Sequence, residues 1–436
     1  MQACQLWKKL FSEKHLYEHY NEKIKNRPSI GMDKITPSKF EQEITNNIEV
    51  ILRKIQNDTY HFTRYKQLLF LKGSEKPPRV VSVPTLRDKL TTSVLDELLY
   101  GVYGDKCRTQ MPHCIINKLS NEIGKYDCFI KIDIKSFYGS INHDKLLEML
   151  SKRIRKKEIL SLITKAIKTS TIANPVKDKV QVTEREKGIP EGLPISNALA
   201  NIFMMNLDEK YEKYKSIFYC RYVDDILLLV TSREFNELNS EIESDIKELN
   251  LEINEKKDEG YITKGLEYLG YRILPNEVTV RKSSVLKIEL SIEELFRELR
   301  GDNIKYIQWK LNLKITGFIL DSNKYGWLFY YSQITDESLL FHLDYVVNKL
   351  VKRYGMNNKM KLKRFERTYC EIRKALHTTR YIPNMDNMTI DEKRQLLSDI
   401  YGIDFSDKNN ERVEIQFRRI MKKELRDIEK DIQNIS

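Results

Sequence analysis

The chain has 436 residues and a formal net charge of +12, from 75 Lys and Arg against 63 Asp and Glu. Such a length exceeds one typical domain, and 41% apolar residues support a sizeable core and exclude a disordered chain. No apolar run is long enough to cross a bilayer.

The start, Met1-Gln-Ala-Cys-Gln-Leu-Trp-Lys-Lys9, lacks the basic, apolar and small-residue order of a signal peptide, so a cytoplasmic protein is expected. Cysteines 4, 107, 114, 128, 220 and 370 form no Cys-x-x-Cys pair; reduced thiols and no zinc site follow, and His113 beside Cys114 does not alter that. The excess of base is spread along the chain. It argues for a polyanionic partner, because each phosphate neutralised by Lys or Arg releases counterions.

Residues 1–60 read as helical and basic, interrupted by Pro28-Ser-Ile-Gly31, with a new helix opening at Thr36-Pro37. Two short extended runs, residues 67–72 and 79–83, flank the turn-like Gly73-Ser-Glu-Lys-Pro-Pro78 and predict a hairpin. That hairpin carries Lys72 and Arg79. The pair either reaches a triphosphate, Arg as a fork and Lys as a point charge, or decorates a solvated surface. An apolar-periodic helix starts near Arg87-Asp-Lys89.

Residues 128–135 alternate cleanly, with Ile130, Ile132 and Ile134 on one face and Lys131, Asp133 and Lys135 on the other. Acids are disfavoured on strands, so Asp133 calls for a reason, and a metal shared with Asp224 supplies one. Residues 144–169 read as one basic helix. Lys187-Gly-Ile-Pro-Glu-Gly-Leu-Pro-Ile-Ser-Asn197 predicts a rigid, exposed loop where backbone comes close to a ligand, feeding a helix over 198–207.

Phe218-Tyr-Cys-Arg-Tyr-Val-Asp-Asp-Ile-Leu-Leu-Leu-Val230 places two adjacent acids, Asp224 and Asp225, between two strand-forming runs. The apolar run after them reads as a strand buried on both faces. Paired acids at the mouth of a buried hairpin suit a divalent cation such as Mg²⁺, with an Asp-rich turn as the alternative. An amphipathic helix over 241–249 and an aromatic hairpin over 261–272 follow. Beyond residue 285 the pattern is helical and basic; over 352–380, Tyr354, Phe365 and Tyr369 interleave with base, either as a nucleic-acid groove with stacking rings or as helices with aromatics in the core. Residues 383–389 look like a linker before two last charged helices.

Together and in this order the motifs resemble those of reverse transcriptases over roughly residues 30–275. Tyr222-Val-Asp-Asp225 carries the resemblance most strongly, then Gly188-Ile-Pro-Glu-Gly-Leu-Pro-Ile-Ser196 with Ala200-Asn201. Gly31-Met-Asp-Lys-Ile-Thr36 and Pro84-Thr-Leu-Arg-Asp-Lys89 look like the additional fingers motifs of the bacterial branch, which holds group II intron, retron and phage-defence enzymes. Tyr325-Gly-Trp-Leu-Phe-Tyr330 is similar to a thumb segment of the intron type, whereas the Val-Thr-Gly and Asn-Ala-x-x-His boxes of retron enzymes and an HNH arrangement are not evident. The phage-defence branch fits best.

The resemblance implies an α+β right-hand polymerase: an N-terminal helical region (1–60), fingers (61–125 with part of 140–190), a palm with an antiparallel sheet (126–275), a helical thumb (276–380) and a helical C-terminal extension (381–436). It implies RNA-directed DNA synthesis with two Mg²⁺, or Mn²⁺, held by Asp133, Asp224, Asp225 and the carbonyl of Ile134. Lys72, Arg79, Tyr138, Glu191 and Gly192 are implied around the dNTP, with Tyr138 excluding a 2′-OH. Lys257 is implied as the proton donor to pyrophosphate, and Tyr268, Leu269 and Gly270 as the primer grip. The implied partners are an RNA template (a dedicated noncoding RNA in antiphage defence), the DNA product and dNTPs, without a membrane; a homo-oligomer is left open. A maturase-like RNA binder is the alternative. Three positions depart from the pattern: Glu191 for Gln, Asn197 for Pro and Asp258 for Thr, from which a biased product is expected.

Overall fold

The structure, a computed structural model, describes residues 2–25, 29–70, 77–173, 183–255, 257–298, 301, 303–356, 359–405 and 409–432. Helices and short sheets divide into two compact units: Met1–Gln110 with Tyr126–Gly260, and Met111–Lys125 with Tyr261–Ser436.

In the first unit, helices Ala3–Leu10, Glu13–His19 and Ile44–Gln56 pack on the long helix Leu86–Tyr103. Thr85 caps that long helix by accepting from the Asp88 amide, which satisfies one of its free N–H groups. Strand β1 (Tyr65–Phe70) pairs antiparallel with β2 (Arg79–Val83), Phe70 opposite Arg79. The second sheet runs β5-β6-β3-β7, from β3 (Cys128–Asp133), β5 (Phe218–Tyr222), β6 (Asp225–Val230) and β7 (Asp258–Tyr261), while the short β4 (Thr171–Ile172) joins β1 in parallel. Ile226, Leu227, Leu228, Leu229 and Val230 are fully buried, as an unbroken apolar run predicts. Each such side chain contributes about 1.5–3 kcal/mol through burial. The helix Ser196–Tyr211 is buried on nearly every side and packs on β5 and on the helices Leu86–Tyr103 and His143–Ser151.

In the second unit, β8 (Leu266–Tyr268), β9 (Tyr271–Leu274) and β10 (Glu277–Val280) form a meander, and β11 (Phe318–Leu320) pairs with β12 (Asn323–Tyr325). The remainder is mainly helical. Leu313, Phe318 and Leu320 share one core with Leu397, Val413, Phe417 and Met421. Residues 381–436 therefore pack into the same body as the helix Ile304–Thr316.

Several expectations need correction. The basic stretch 144–169 is two helices, His143–Ser151 and Lys157–Lys168, and its charge cluster falls at the break. The loop at 187–197 is not generally exposed: Ile189, Leu193, Ile195 and Ser196 are buried, leaving Lys187, Gly192 and Asn197 open and Glu191 half-buried. Phe365 and Tyr369 are buried core aromatics, and Tyr354 stacks on Phe296 at 5.3 Å, so these three rings serve packing within the fold. Residues 383–389 are packed, with Met385 buried and the Asp386 carboxylate accepting from the amides of Asp321 and Ser322.

Candidate active site

β3 and β6 lie antiparallel with Asp133 directly opposite Asp225, and Tyr222 of β5 opposite the same Asp225. Residues paired this way point to one face, with Cβ atoms about 4.5–5.5 Å apart. Asp224 occupies the two-residue turn between β5 and β6, and its carbonyl accepts from the Ile134 amide at 3.2 Å. The three acids, separated by about ninety residues in the chain, thus meet at the end of one sheet. Asp225 is buried; Asp133 and Asp224 are half-buried and reachable. A group of carboxylates this close suits oxygen-loving divalent cations, since cations offset the mutual repulsion.

The turn that presents Asp224 is strained. Val223 has φ +58°, a conformation that a β-branched residue rarely adopts. Its carbonyl is held by Arg221 Nη1 at 2.7 Å. The same guanidinium clamps Asp208 through Nε (2.8 Å) and Nη2 (2.6 Å) and reaches Asn201 Oδ1 at 3.2 Å. Tyr219 adds its hydroxyl to Asp208 at 2.7 Å. Arg221 and Asp208 thus anchor the acidic turn to the helix Ser196–Tyr211, a role that local sequence does not reveal. Asn254 was also missed: its amide nitrogen donates to Asp133 Oδ2 at 2.8 Å, fixing that carboxylate.

Tyr138 follows β3 and is half-buried. Burial raises its phenol to about 12, with Glu191 and Asp224 adding to the shift and Arg79 and Arg221 opposing it. Its carbonyl accepts from the Ile189 amide at 2.7 Å, and the Gly188 amide donates to the Ile141 carbonyl at 2.7 Å. Gly188 has φ +82°, and a Cβ there would sit 2.6 Å from the Gly139 carbonyl oxygen, so only glycine permits this approach. Arg79 Nε donates to Glu191 Oε2 at 2.5 Å, bringing the hairpin to the loop.

Lys257 and residues 268–270, two further expected sets, have the following surroundings. Lys257 Nζ lies against Asn239, Glu243 Oε1 at 2.7 Å and Glu259 Oε2 at 3.0 Å, so its ammonium is bound by acids outside the Asp133 group. Residues 268–270 belong to the second unit, where Leu269 (φ +49°) and Gly270 (φ +79°) form the tight turn between β8 and β9; all three are buried, and Tyr330 donates its hydroxyl to the Leu269 carbonyl at 3.1 Å. Lys72 lies outside the described residues. Asn197 Oδ1 accepts from Thr109 at 3.0 Å, and Asp258 opens β7 as an exposed side chain. In the first unit His15 Nε2 and His19 Nδ1 both meet Glu97 Oε2, at 3.0 and 2.9 Å, a cluster that cysteine spacing does not reveal.

Residues 70–273 match the family model described as "Reverse transcriptase (RNA-dependent DNA polymerase)". An uncharacterized 91 kDa protein in a cob intron of Schizosaccharomyces pombe is 28% identical over 208 residues, 46% of this chain and 25% of that protein. The group II intron-encoded protein LtrA of Lactococcus lactis subsp. cremoris is 25% identical over 203 residues, covering 45% and 32%. The retron Ec86 reverse transcriptase of Escherichia coli is 23% identical over 303 residues, covering 66% and 81%. The chain thus spans a third or less of the length of the first two relatives. Among solved structures, telomerase from Candida albicans in complex with an RNA fragment superposes with a TM-score of 0.44 at 11% identity, over 89% of this chain and 66% of that one.

Proposed function

We propose that this chain, which carries a reverse transcriptase domain over residues 70–273, is an RNA-directed DNA polymerase. The observation that carries the reading is the pairing of Asp133 with Asp225 across β3 and β6, with Asp224 in the adjoining turn. These carboxylates, joined by the Ile134 carbonyl, would hold two divalent cations. Bound there, Mg²⁺ supplies the charge that acidifies a primer 3′-OH and offsets the developing charge on pyrophosphate.

The protein's own groups do the positioning. Asn254 orients Asp133, Arg221 and Asp208 fix the Asp224 turn, and Arg79 offers a planar fork to a polyphosphate. Tyr138, beside Glu191 and Asp224, presents a ring where a deoxyribose is tolerated and a 2′-OH meets bulk. We assign Lys257 an electrostatic role through Glu243 and Glu259 in place of proton donation. The net charge of +12 supports an RNA template. The motifs at 31–36 and 84–89 suit the bacterial branch as a whole, and the narrower reading, a dedicated noncoding RNA copied in antiphage defence, rests on the lack of evident retron boxes and HNH arrangement in the sequence.

Primer extension on an RNA template with Mg²⁺ and dNTPs tests the assignment. Asp224→Ala should reduce extension by at least ~10²-fold, the scale on which a group that stabilises reaction charge is felt. Equal extension by the wild type and Asp224→Ala overturns it, and restriction of phage by both forms removes synthesis as the means of defence.

A further inference from the structure

We propose that Glu191 occupies Arg79 as an internal competitor, so that a triphosphate binds only by displacing a carboxylate from the guanidinium. The identity of the ligand rests on the polymerase reading above; the competition rests on geometry. Arg79 Nε and Glu191 Oε2 are 2.5 Å apart, and the side chains are 50% and 29% exposed, so an incoming polyanion can reach the pair. Arg matches carboxylate and phosphate with the same planar donors, and the two ligands therefore exclude each other.

Glu191 does not reach Arg79 through a free rotamer alone. Its carbonyl accepts from the Ser82 amide of β2 at 2.6 Å. The next residue, Gly192, has φ +100°, and a Cβ there would lie 2.6 Å from Val81 Cγ1 and 2.9 Å from the Ser82 carbonyl oxygen. On the other side, the Pro190 carbonyl accepts from Ser196 Oγ at 2.6 Å. The loop is pinned to β2 at Glu191 and Gly192, three positions from Arg79, and Ser196 holds it on the other side of Glu191. The Tyr138 carbonyl accepts from the Ile189 amide two residues before Glu191, so the loop that carries Glu191 is joined to the segment following β3 and Asp133.

The consequence concerns phosphate, which all four nucleotides share. Glu191 then weakens every dNTP alike and does not bias the product, in contrast to what its departure from the family pattern led us to expect. A glutamine there would remove the competing charge while keeping the loop's shape.

The test measures equilibrium binding of inorganic tripolyphosphate and the KM of each dNTP in the wild type, Glu191→Gln, Arg79→Ala and the double variant. Glu191→Gln should tighten binding and lower all four KM values about threefold to fivefold, the span of an exposed ion pair. Arg79→Ala should weaken both readings, and adding Glu191→Gln to it should change nothing. Unchanged or weaker binding in Glu191→Gln, an effect on one base alone, tightening without Arg79, or no tripolyphosphate binding in any form overturns the proposal. Extension of a primer without this mutant pattern refutes the competition alone; the pattern without extension refutes the polymerase reading alone.

Discussion

Charge is handled in opposite ways in the two units. The first gathers Asp133, Asp224 and Asp225 at one sheet end, on a turn that holds Val223 in a strained conformation. The second unit sets buried charges against charges of opposite sign. Lys314 meets Asp431 at 2.7 Å with side chains 9% and 2% exposed, and Lys310 meets Glu424 at 2.6 Å. Both pairs tie the helix Ile304–Thr316 to the C-terminal segment around the helix Asn410–Glu429. Matching serves the fold, because a lone buried charge is costly. Crowding like charges does the reverse, and it is the pattern of a site that draws a ligand of opposite sign.

The contrast can be broken by experiment. Lys314→Ala leaves the Asp431 carboxylate buried without its lysine and should lower stability by about 3–5 kcal/mol in urea unfolding. A loss below about 1 kcal/mol would show that the pair is hydrated and that matching does not support this unit.

Asp88 of the first unit gives the next effect. It is buried, and its recorded partners are neutral: the Tyr60 hydroxyl, the Thr63 amide and the Thr85 hydroxyl. Burial raises its carboxyl from 3.8 to about 6. Between those values the folded state holds the proton more tightly than the unfolded chain. Stability from this group is therefore present at low pH and is lost as pH rises through about 6. The difference in unfolding free energy between the wild type and Asp88→Asn should fall across that window; a flat difference would refute it.

Asp133→Asn should have the smallest effect on the fold and the opposite sign. The amide oxygen still accepts from Asn254, while one negative charge facing Asp225 disappears, a like-charge contact of about 0.2–1 kcal/mol. A gain in stability with loss of primer extension sharpens the contrast; a loss of stability would mean that the acids support the fold.

The strand positions of the acids are legible in the sequence. Period-two alternation turned Asp133 away from the isoleucines, and the apolar run after Asp225 marked a central strand, because a strand's faces are set by residue parity alone. Other features were hidden because they depend on partners far apart in the chain. That Lys257 is flanked by Glu243 and Glu259 is not visible in the local sequence. The Asn254 beside it in sequence proved to be the residue that touches Asp133. Residues 383–389 have the composition of a linker, yet contacts with Asp321 and Ser322 order them.

The sequence by itself determined which segments become strands and which positions carry acid, since backbone sterics and hydrophobic periodicity act over a few residues. Only the tertiary structure decided which charges meet. Arg79 and Glu191, and Arg221 and Asp208, are joined by closures of the chain over 112 and 13 residues respectively. Pairings of that kind are selected by the packing of the whole core, and no local pattern encodes them.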